Sequence, residues 1–186
     1  MFMETLLLLA VALAMDSVAV SIAIGSKYKE LLLSSALFVS GVFGFFQAAM
    51  PIAGYFIGIS FAEYVQAFDH WIAFILLVGL GAKMLYEAYK NEFDEEVTDL
   101  SNKTLISLAV ATSIDAMAIG VTFAFLQTDI FTAAGVIGLV TFILCVAAVY
   151  IGKKLGSLLE SKAEMLGGLM LIGLGCKILL EHLGIL

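Results

Sequence analysis

The sequence predicts an all-α integral membrane protein in which six transmembrane helices form two inverted three-helix repeats. Three observations support this fold class: the composition, an internal repeat and the positions of the lysines. The chain of 186 residues is 62% hydrophobic and only 13% charged, against about 25% charged residues in soluble domains. Its apolar runs reach the length of about 20 residues that a helix needs to cross a bilayer.

Six apolar runs predict the six helices, at roughly 5–25, 31–59, 70–90, 104–126, 130–152 and 163–183. The second run is longer than a bilayer requires, so its helix can tilt or continue into the interface. The connections are short, and none can hold a soluble domain. Residues 1–4 contain no basic residue, so we expect the first run to be a retained helix and not a cleaved signal peptide.

The lysines lie on one side of this predicted topology. The first, third and fifth loops with their flanks hold seven: Lys27, Lys29, Lys90, Lys103, Lys153, Lys154 and Lys162. The opposite loops hold none, which places both termini outside the cytoplasm by the positive-inside rule. Lys83 and Lys177 fall near helix ends, where they can snorkel and pair with acids four residues later, Glu87 and Glu181.

An internal repeat divides the chain. The run Gly79-Leu80-Gly81-Ala82-Lys83 recurs as Gly173-Leu174-Gly175-Cys176-Lys177 at an offset of 94 residues, and the same offset places Gly41 and Gly44 on Gly135 and Gly138. We therefore predict a first three-helix repeat at 1–90, an acidic cytoplasmic loop at 91–103 and a second repeat at 104–186. Because each copy has an odd number of spans, the copies are inverted, an architecture that recurs in transporters.

Two aspartates are the candidate functional residues. Asp16 and Asp115 occupy matching positions in the first and fourth runs, at an offset of 99 residues. A carboxylate at the bilayer centre costs about 2.5–3.5 kcal/mol on insertion scales, so it is a functional hypothesis by default. An in-plane axis brings equivalent mid-span positions together, and two adjacent carboxylates call for a cation or a shared proton.

Neutral oxygen donors accompany the aspartates. Gln47 lies one turn before Pro51, whose missing N–H can free the backbone carbonyl at position 47, and the repeat matches Gln47 to Thr141. We predict Asp16, Asp115 and Gln47 as metal ligands, since oxygen donors suit magnesium, calcium or manganese. The possible auxiliary ligands are Ser17, Ser21, Ser113, Thr112, Thr141, Met15 and Met117. The alternative is a structural role, with the polar groups joining helices and the methionines only packing.

The other polar residues have simpler interpretations. The acids of the central loop predict a solvated linker, with cation gathering as the alternative. Four residues predict a solvated extracytoplasmic rim: Glu63, Asp69, His70 and Asp129. Glu164 reads as a helix-start acid, and Cys145 and Cys176 as small packing residues. The net charge of −7 disfavours nucleic acid as a partner.

The chain resembles the MntP family of bacterial manganese efflux pumps, a relative of the lysine-exporter superfamily. The resemblance is carried by Met15-Asp16-Ser17-Val18-Ala19-Val20-Ser21, Asp69-His70-Trp71-Ile72-Ala73-Phe74, Ala111-Thr112-Ser113-Ile114-Asp115-Ala116-Met117-Ala118 and Lys162-Ala163-Glu164-Met165-Leu166-Gly167-Gly168. It implies Mn²⁺ efflux across the cytoplasmic (inner) membrane, with manganese as substrate and no resident cofactor. The membrane aspartates carry over onto Asp16 and Asp115. Some members have an acid where this chain has Gln47, which would give this site one charge fewer.

Three functions remain as sequence-based alternatives. The first is a secondary transporter in which a carboxylate pair exchanges Mn²⁺ for protons. The second is an exporter of an amino acid or another small solute. The third is an intramembrane aspartyl protease, which also needs two membrane aspartates sharing a proton; Thr-Ser-Ile before Asp115 differs from the Gly-x-Gly of such enzymes. The sequence leaves open the selectivity among Mn²⁺, Fe²⁺, Co²⁺ and Cd²⁺, the oligomeric state and the number of ion sites.

Overall fold

The chain is helical throughout the part that the computed structural model describes. That part comprises residues 2–28, 32–65, 69–90, 101–126, 128–155 and, in the last segment, 165, 169, 171–173, 175–177 and 179–180. It contains no strand. The helices are α1 (Phe2–Lys27), α2 (Leu33–Val65), α3 (Asp69–Lys90), α4 (Asn102–Ala111), α5 (Ile114–Phe125) and α6 (Ile130–Leu155). The predicted all-α class is confirmed for these residues.

Four stretches of the described chain are long and apolar enough to cross a membrane: Met3–Lys27, Leu33–Ser60, Asn102–Phe125 and Ile130–Lys154. They correspond to the first, second, fourth and fifth predicted helices. The third predicted helix coincides with α3, which is not among the four. The sixth, at 163–183, falls largely outside the described residues, although the described positions there are helical. Most of the acidic loop at 91–103 also lies outside them.

The fourth predicted helix, at 104–126, is interrupted, which corrects the prediction of one continuous helix. α4 ends at Ala111 and α5 begins at Ile114. The Ser113 hydroxyl lies 2.5 Å from the carbonyl oxygen of Ala109 and 3.2 Å from that of Val110. Serine and threonine hydroxyls compete for backbone groups in this way. The Thr112-Ser113 pair therefore ends α4 by capping its last carbonyls.

Glycines let the helices pack with their backbones in contact. α1 packs chiefly on α6, and α2 on α5 and α6. A Cβ at Gly54 of α2 would overlap the carbonyl oxygen of Met117 in α5, and a Cβ at Gly152 of α6 would overlap that of Ile22 in α1. Small residues permit such close approach in membrane helices, where dispersion contacts and not the hydrophobic effect hold neighbours together.

α2 and α6 cross at a second close contact. A Cβ on Gly44 would lie 2.9 Å from the carbonyl oxygen of Gly138, and a Cβ on Gly138 would lie 2.8 Å from that of Gly44. Gly44 and Gly138 are matching positions under the 94-residue offset of the sequence repeat. The two helices therefore meet at positions that the predicted repeat makes equivalent.

α1 supplies much of the buried interior. The hydrophobic core includes Leu13, Val20 and Ile24 from α1, Phe43 from α2 and Ile137 from α6. Outward positions carry large apolar side chains, such as Phe38, Phe45, Phe131 and Leu139. An apolar exterior around a packed interior is the arrangement that a lipid environment requires. Ten polar or charged side chains of the described residues are instead buried inside.

Candidate functional site

Polar side chains gather in the interior of the bundle. The buried ones in the described part of the chain are Asp16, Ser17, Ser21, Ser40, Gln47, Thr112, Ser113, Asp115, Thr122 and Thr141. Every polar residue proposed from the sequence as a ligand or auxiliary ligand is in this set. Sequence reasoning missed Ser40 and Thr122. The only signal available for them was a hydroxyl in an apolar run, which does not separate function from packing.

The two aspartates are buried and close enough to interact electrostatically. Asp16 on α1 is 7% exposed and Asp115 on α5 is 5% exposed. The charge of Asp16 acts on Asp115, and so does that of Lys83 on α3. Two ionised carboxylates in one low-dielectric region repel each other, so their ionised forms require a cation close by. Lys83 is a further charged group near the site that the sequence had not connected with it.

The break in the fourth span determines the surroundings of Asp115. This residue lies in the first turn of α5, and its Oδ1 accepts a 2.7 Å hydrogen bond from the Ala116 N–H. In a continuous helix that N–H would donate to the carbonyl of Thr112. The start of a helix carries partial positive charge, which favours a carboxylate. Asp115 Oδ2 is buried and has no hydrogen-bond partner among the described residues.

Two hydrogen bonds connect α1 to its neighbours at this level. The Ser17 hydroxyl donates to the Thr112 hydroxyl over 3.2 Å, which joins the residue after Asp16 to the break before Asp115. The Gln47 amide nitrogen donates to the backbone carbonyl of Leu13 over 2.7 Å. Three helices are thus held together by polar contacts around the aspartates.

Further oxygens in the interior lack partners. Gln47 Oε1, Thr141 Oγ1 and Ser40 Oγ are buried without a hydrogen bond to any described residue. Gln47 and Thr141 are matching positions of the predicted repeat. Buried polar atoms are nearly always satisfied in proteins, and an exception points to an ion or water that completes the site.

The remaining auxiliary candidates are less directly connected to the aspartates. Ser21 interacts with the Cys145 thiol. Met15 belongs to the hydrophobic core and Met117 is partly exposed. A packing role accounts for both methionines.

Asp129 lies away from the centre, as expected for a rim residue. It is exposed and precedes α6, where it accepts hydrogen bonds from the Thr132 hydroxyl and the Phe131 N–H. The Thr132 hydroxyl, helped by the N–H groups of Phe131 and Thr132, lowers the pKa of the Asp129 carboxyl. The side chains of the other rim residues, Glu63, Asp69 and His70, and Glu164 lie outside the described residues.

The chemistry of the centre is that of oxygen donors. Within the described ranges no group of three or more His, Cys, Asp or Glu residues could hold a metal ion. An ion at the centre would therefore depend on two carboxylates supplemented by neutral amide, hydroxyl or carbonyl oxygens. Hard and borderline divalent cations such as Mg²⁺, Ca²⁺ and Mn²⁺ accept such ligands.

Several helices long and apolar enough to cross a membrane define a polytopic membrane protein, and buried carboxylates among such helices are typical of transporters. A family model described as "Mntp: Putative manganese efflux pump" matches residues 30–179. The chain belongs to this MntP family. Because the family is one of transporters and not of enzymes, the aspartyl-protease alternative is wrong.

Curated relatives match almost the whole chain. A protein of Campylobacter curvus is 53% identical over 96% of this chain and 97% of its own length. One from Campylobacter hominis is 50% identical over 97% and 99%, and one from Crocosphaera subtropica is 47% identical over 94% of each. All three are named "Putative manganese efflux pump MntP". No solved structure matches the chain.

Proposed function

We propose that this protein is a secondary transporter that exports Mn²⁺ from the cytoplasm through a site at the centre of the membrane. The observation that carries the proposal is the burial of Asp16 and Asp115 within electrostatic reach of each other. Two carboxylates can balance the charge of one divalent cation. The names of the relatives identify manganese as the cation to test first.

In this proposal Asp16, Asp115 and Gln47 bind the ion directly. Thr141 supplies a hydroxyl oxygen from the opposite half, and the Thr112-Ser113 break makes backbone oxygens accessible. Ser17 holds the break against α1. Ser21, Met15 and Met117 take auxiliary or packing roles. One shared ion requires both aspartates to reach it in the same state, whereas two successive sites do not.

The proposed architecture is six transmembrane helices in two inverted repeats, at 1–90 and 104–186, joined by an acidic cytoplasmic loop at 91–103. The contact between Gly44 and Gly138 supports it, because a pseudo-two-fold axis makes equivalent residues meet. Further support comes from a second matched pair of contacts. Gly58 approaches Val121 as Gly152 approaches Ile22, and each partner is the counterpart of the other under the repeat offsets.

Transport would proceed by rocking of the two halves around the fixed site. Discontinuous helices at the centre are a recurring part of such transporters, and the α4–α5 break has this form. Exchange of Mn²⁺ for protons would supply the energy, since a carboxylate can take up a proton when the metal leaves. The lysine distribution favours a protein of the bacterial inner membrane with both termini outside the cytoplasm.

The test is manganese export by the full-length chain in a manganese-sensitive bacterium. Wild type should lower intracellular manganese and restore growth in excess Mn²⁺, whereas Asp16→Ala and Asp115→Ala should do neither at equal membrane abundance. Ser60→Ala, which removes an exposed hydroxyl near the C-terminal end of α2, is the control and should export normally. Unchanged manganese in cells with wild type, or normal export by both aspartate variants, would overturn the proposal.

Parallel measurements separate the small-solute alternative. Excreted amino acids are measured in the same cultures with and without Mn²⁺. Release of an amino acid that requires Asp16, without any fall in intracellular manganese, would favour solute export. Loading proteoliposomes with Mn²⁺ and imposing a pH gradient then tests the proton coupling separately from the cargo.

A further inference from the structure

We infer that Gln47 contributes to the central site through one atom only, its carbonyl oxygen Oε1, because the backbone carbonyl of Leu13 fixes the orientation of the amide. This inference rests on the proposed function and deepens it. It makes Gln47 an acceptor-only ligand without charge, and it assigns Leu13 a positioning role through its main chain.

The chemistry of the contact determines which end of the amide faces Leu13. The side-chain atom of Gln47 lies 2.7 Å from the Leu13 carbonyl oxygen. A backbone carbonyl has lone pairs but no proton, so only the NH₂ end of the amide can form this hydrogen bond. With the amide reversed, two carbonyl oxygens would face each other at the same distance and repel. The assignment of Nε2 and Oε1 therefore follows from the partner.

The other end of the amide then has no protein donor. Gln47 is fully buried, and its Oε1 has no hydrogen-bond partner in the described part of the chain. Asp115 Oδ2 is likewise buried without a hydrogen-bond partner in the described part of the chain. An ionised carboxylate and an amide oxygen are both acceptors, so neither can satisfy the other. A cation, or water bound to one, is the group that can complete both.

Helix packing brings Gln47 to the end of α4 that precedes Asp115. Gly54 contacts Met117 and Gly58 contacts Val121, so the contacts advance by four residues on both helices and α2 runs parallel to α5. Continuing that register back along α2 places position 47 opposite Val110, in the last turn of α4 before the break that precedes Asp115. The hydrogen bond to Leu13 ties the same side chain to α1, less than one turn before Asp16.

The charge of the side chain at position 47 affects which cation the site prefers. With a neutral Gln47, the fixed charge contributed by the three ligands is −2, which matches one divalent cation. An ionised glutamate at this position would add a third negative charge. It would also place an oxygen against the Leu13 carbonyl, where the glutamine places a donor. An ionised Gln47→Glu therefore cannot reproduce the wild-type geometry, although it has nearly the same size, because only its protonated form can donate to the Leu13 carbonyl.

The test is electron–nuclear double resonance on Mn²⁺ bound to the purified full-length chain in nanodiscs. The sequence has three glutamines, Gln47, Gln66 and Gln127, so Gln66→Met with Gln127→Met leaves Gln47 as the one glutamine that can carry a label. Glutamine labelled with ¹³C at Cδ should show a hyperfine coupling to Mn²⁺. Glutamine labelled with ¹⁵N in the amide should show no directly bound nitrogen. Because Gln47 itself is retained, the result does not depend on how its variants fold.

Affinity measurements supply a second criterion. Gln47→Met keeps the length of the side chain but removes both polar ends, and it should weaken Mn²⁺ binding by about tenfold, the effect of losing one neutral ligand. Gln47→Glu carries no glutamine label, so it is assayed by affinity alone and should not bind Mn²⁺ with the wild-type affinity. Ser60→Ala, which removes an exposed hydroxyl of α2, should leave affinity and spectrum unchanged.

The outcomes distinguish this inference from the proposed function. Bound Mn²⁺ without a ¹³Cδ coupling, or with a directly bound amide ¹⁵N, overturns the inference and leaves the transport proposal standing. Absence of Mn²⁺ binding in the wild type overturns the proposed function and the inference with it. A ¹³Cδ coupling without direct ¹⁵N coordination supports both.

Discussion

The Ser17 hydroxyl donates a 3.2 Å hydrogen bond to the Thr112 hydroxyl, although the two residues are 95 positions apart in the chain. Ser17 follows Asp16, and Thr112 stands at the break before Asp115. The Thr112 hydroxyl in turn lies 3.4 Å from the carbonyl oxygen of Ala109. A short series of polar contacts thus joins the two helices that carry the aspartates.

The Ser17–Thr112 contact predicts a measurable coupling between the two hydroxyls. In a double-mutant cycle with Ser17→Ala and Thr112→Val, the coupling free energy should be about 0.5–1.5 kcal/mol, the net contribution of a buried hydrogen bond. The free energy of unfolding in detergent is the measurement. Pairing Ser40→Ala with Thr112→Val is the control and should be additive. Additivity of the first pair would show that the hydroxyls do not interact.

Neutralising either aspartate should cause the largest losses of ion binding. Asp16→Asn or Asp115→Asn should each weaken Mn²⁺ binding by about 30-fold or more, since removing one charge from a buried charged site costs about 2–5 kcal/mol. Binding is followed from the signal of free Mn²⁺ in electron paramagnetic resonance. Asp129→Asn changes an exposed aspartate and should bind as the wild type does. Equal affinities in all three variants would place the ion elsewhere.

Adding a side chain at Gly54 should create a packing defect, whereas adding one at Gly41 should not. In Gly54→Ala the new methyl group would overlap the Met117 carbonyl oxygen, whereas a Cβ at Gly41 has no atom within 4 Å. Gly54→Ala should lower the free energy of unfolding by about 1–3 kcal/mol, the usual cost of overpacking. Gly41→Ala, on the same helix, should be neutral or stabilise by up to about 1 kcal/mol through helix propensity. Equal stability of the two variants would contradict the close α2–α5 contact.

The carboxyl of Asp129, at the start of α6, should make a pH-dependent contribution to the stability of the folded protein. The Thr132 hydroxyl lowers the folded-state pKa of its carboxyl below the unfolded value. A lowered pKa contributes stability that is present above the unfolded pKa, about 3.9, and is lost as the pH falls through the folded pKa. Asp129→Ala should therefore be less stable than the wild type at pH 6, and the difference should shrink at more acidic pH. A difference independent of pH would assign the effect to geometry and not to charge.

The positive charge of Lys83 should compete with the bound cation for Asp115. Its positive charge acts on Asp115, so Lys83→Gln should tighten Mn²⁺ binding by about two- to fivefold, the effect of a solvent-screened charge pair. Lys154→Gln removes an exposed lysine from the last turn of α6 and should not change the affinity. Weaker binding in Lys83→Gln would show that the lysine supports the site and does not oppose the metal.

Much of the fold could be predicted because hydropathy and helix length are local properties of a chain in a bilayer. The ends of α1 and α6 lie within a few residues of the predicted ones, because the apolar run of a membrane helix ends at the membrane–water interface. The break at Thr112-Ser113 was missed because both residues are compatible with a membrane helix. Their hydroxyls end α4 only when they bond to its last carbonyls. Hydropathy is the same whether or not they do so, and it therefore cannot predict the break.

The candidate site, too, could be predicted from the sequence only in part. The sequence identified Asp16, Asp115 and Gln47, because polar groups in apolar runs are costly and stand out. It did not connect Lys83 with Asp115, because the two residues are brought together by the packing of α3 on α5. Ser40 and Thr122 were overlooked because a single hydroxyl costs little in a helix.

By itself the sequence determined that this is a helical membrane protein of the MntP family with two matching aspartates in its apolar runs. Lipid cannot satisfy backbone polar groups, so long apolar runs leave few alternatives to helices. Only the tertiary structure decided that the fourth span breaks before Asp115, and that Gln47 turns its nitrogen to Leu13. Those outcomes depend on which carbonyl each donor reaches once the helices have packed, and a linear pattern contains no such distances.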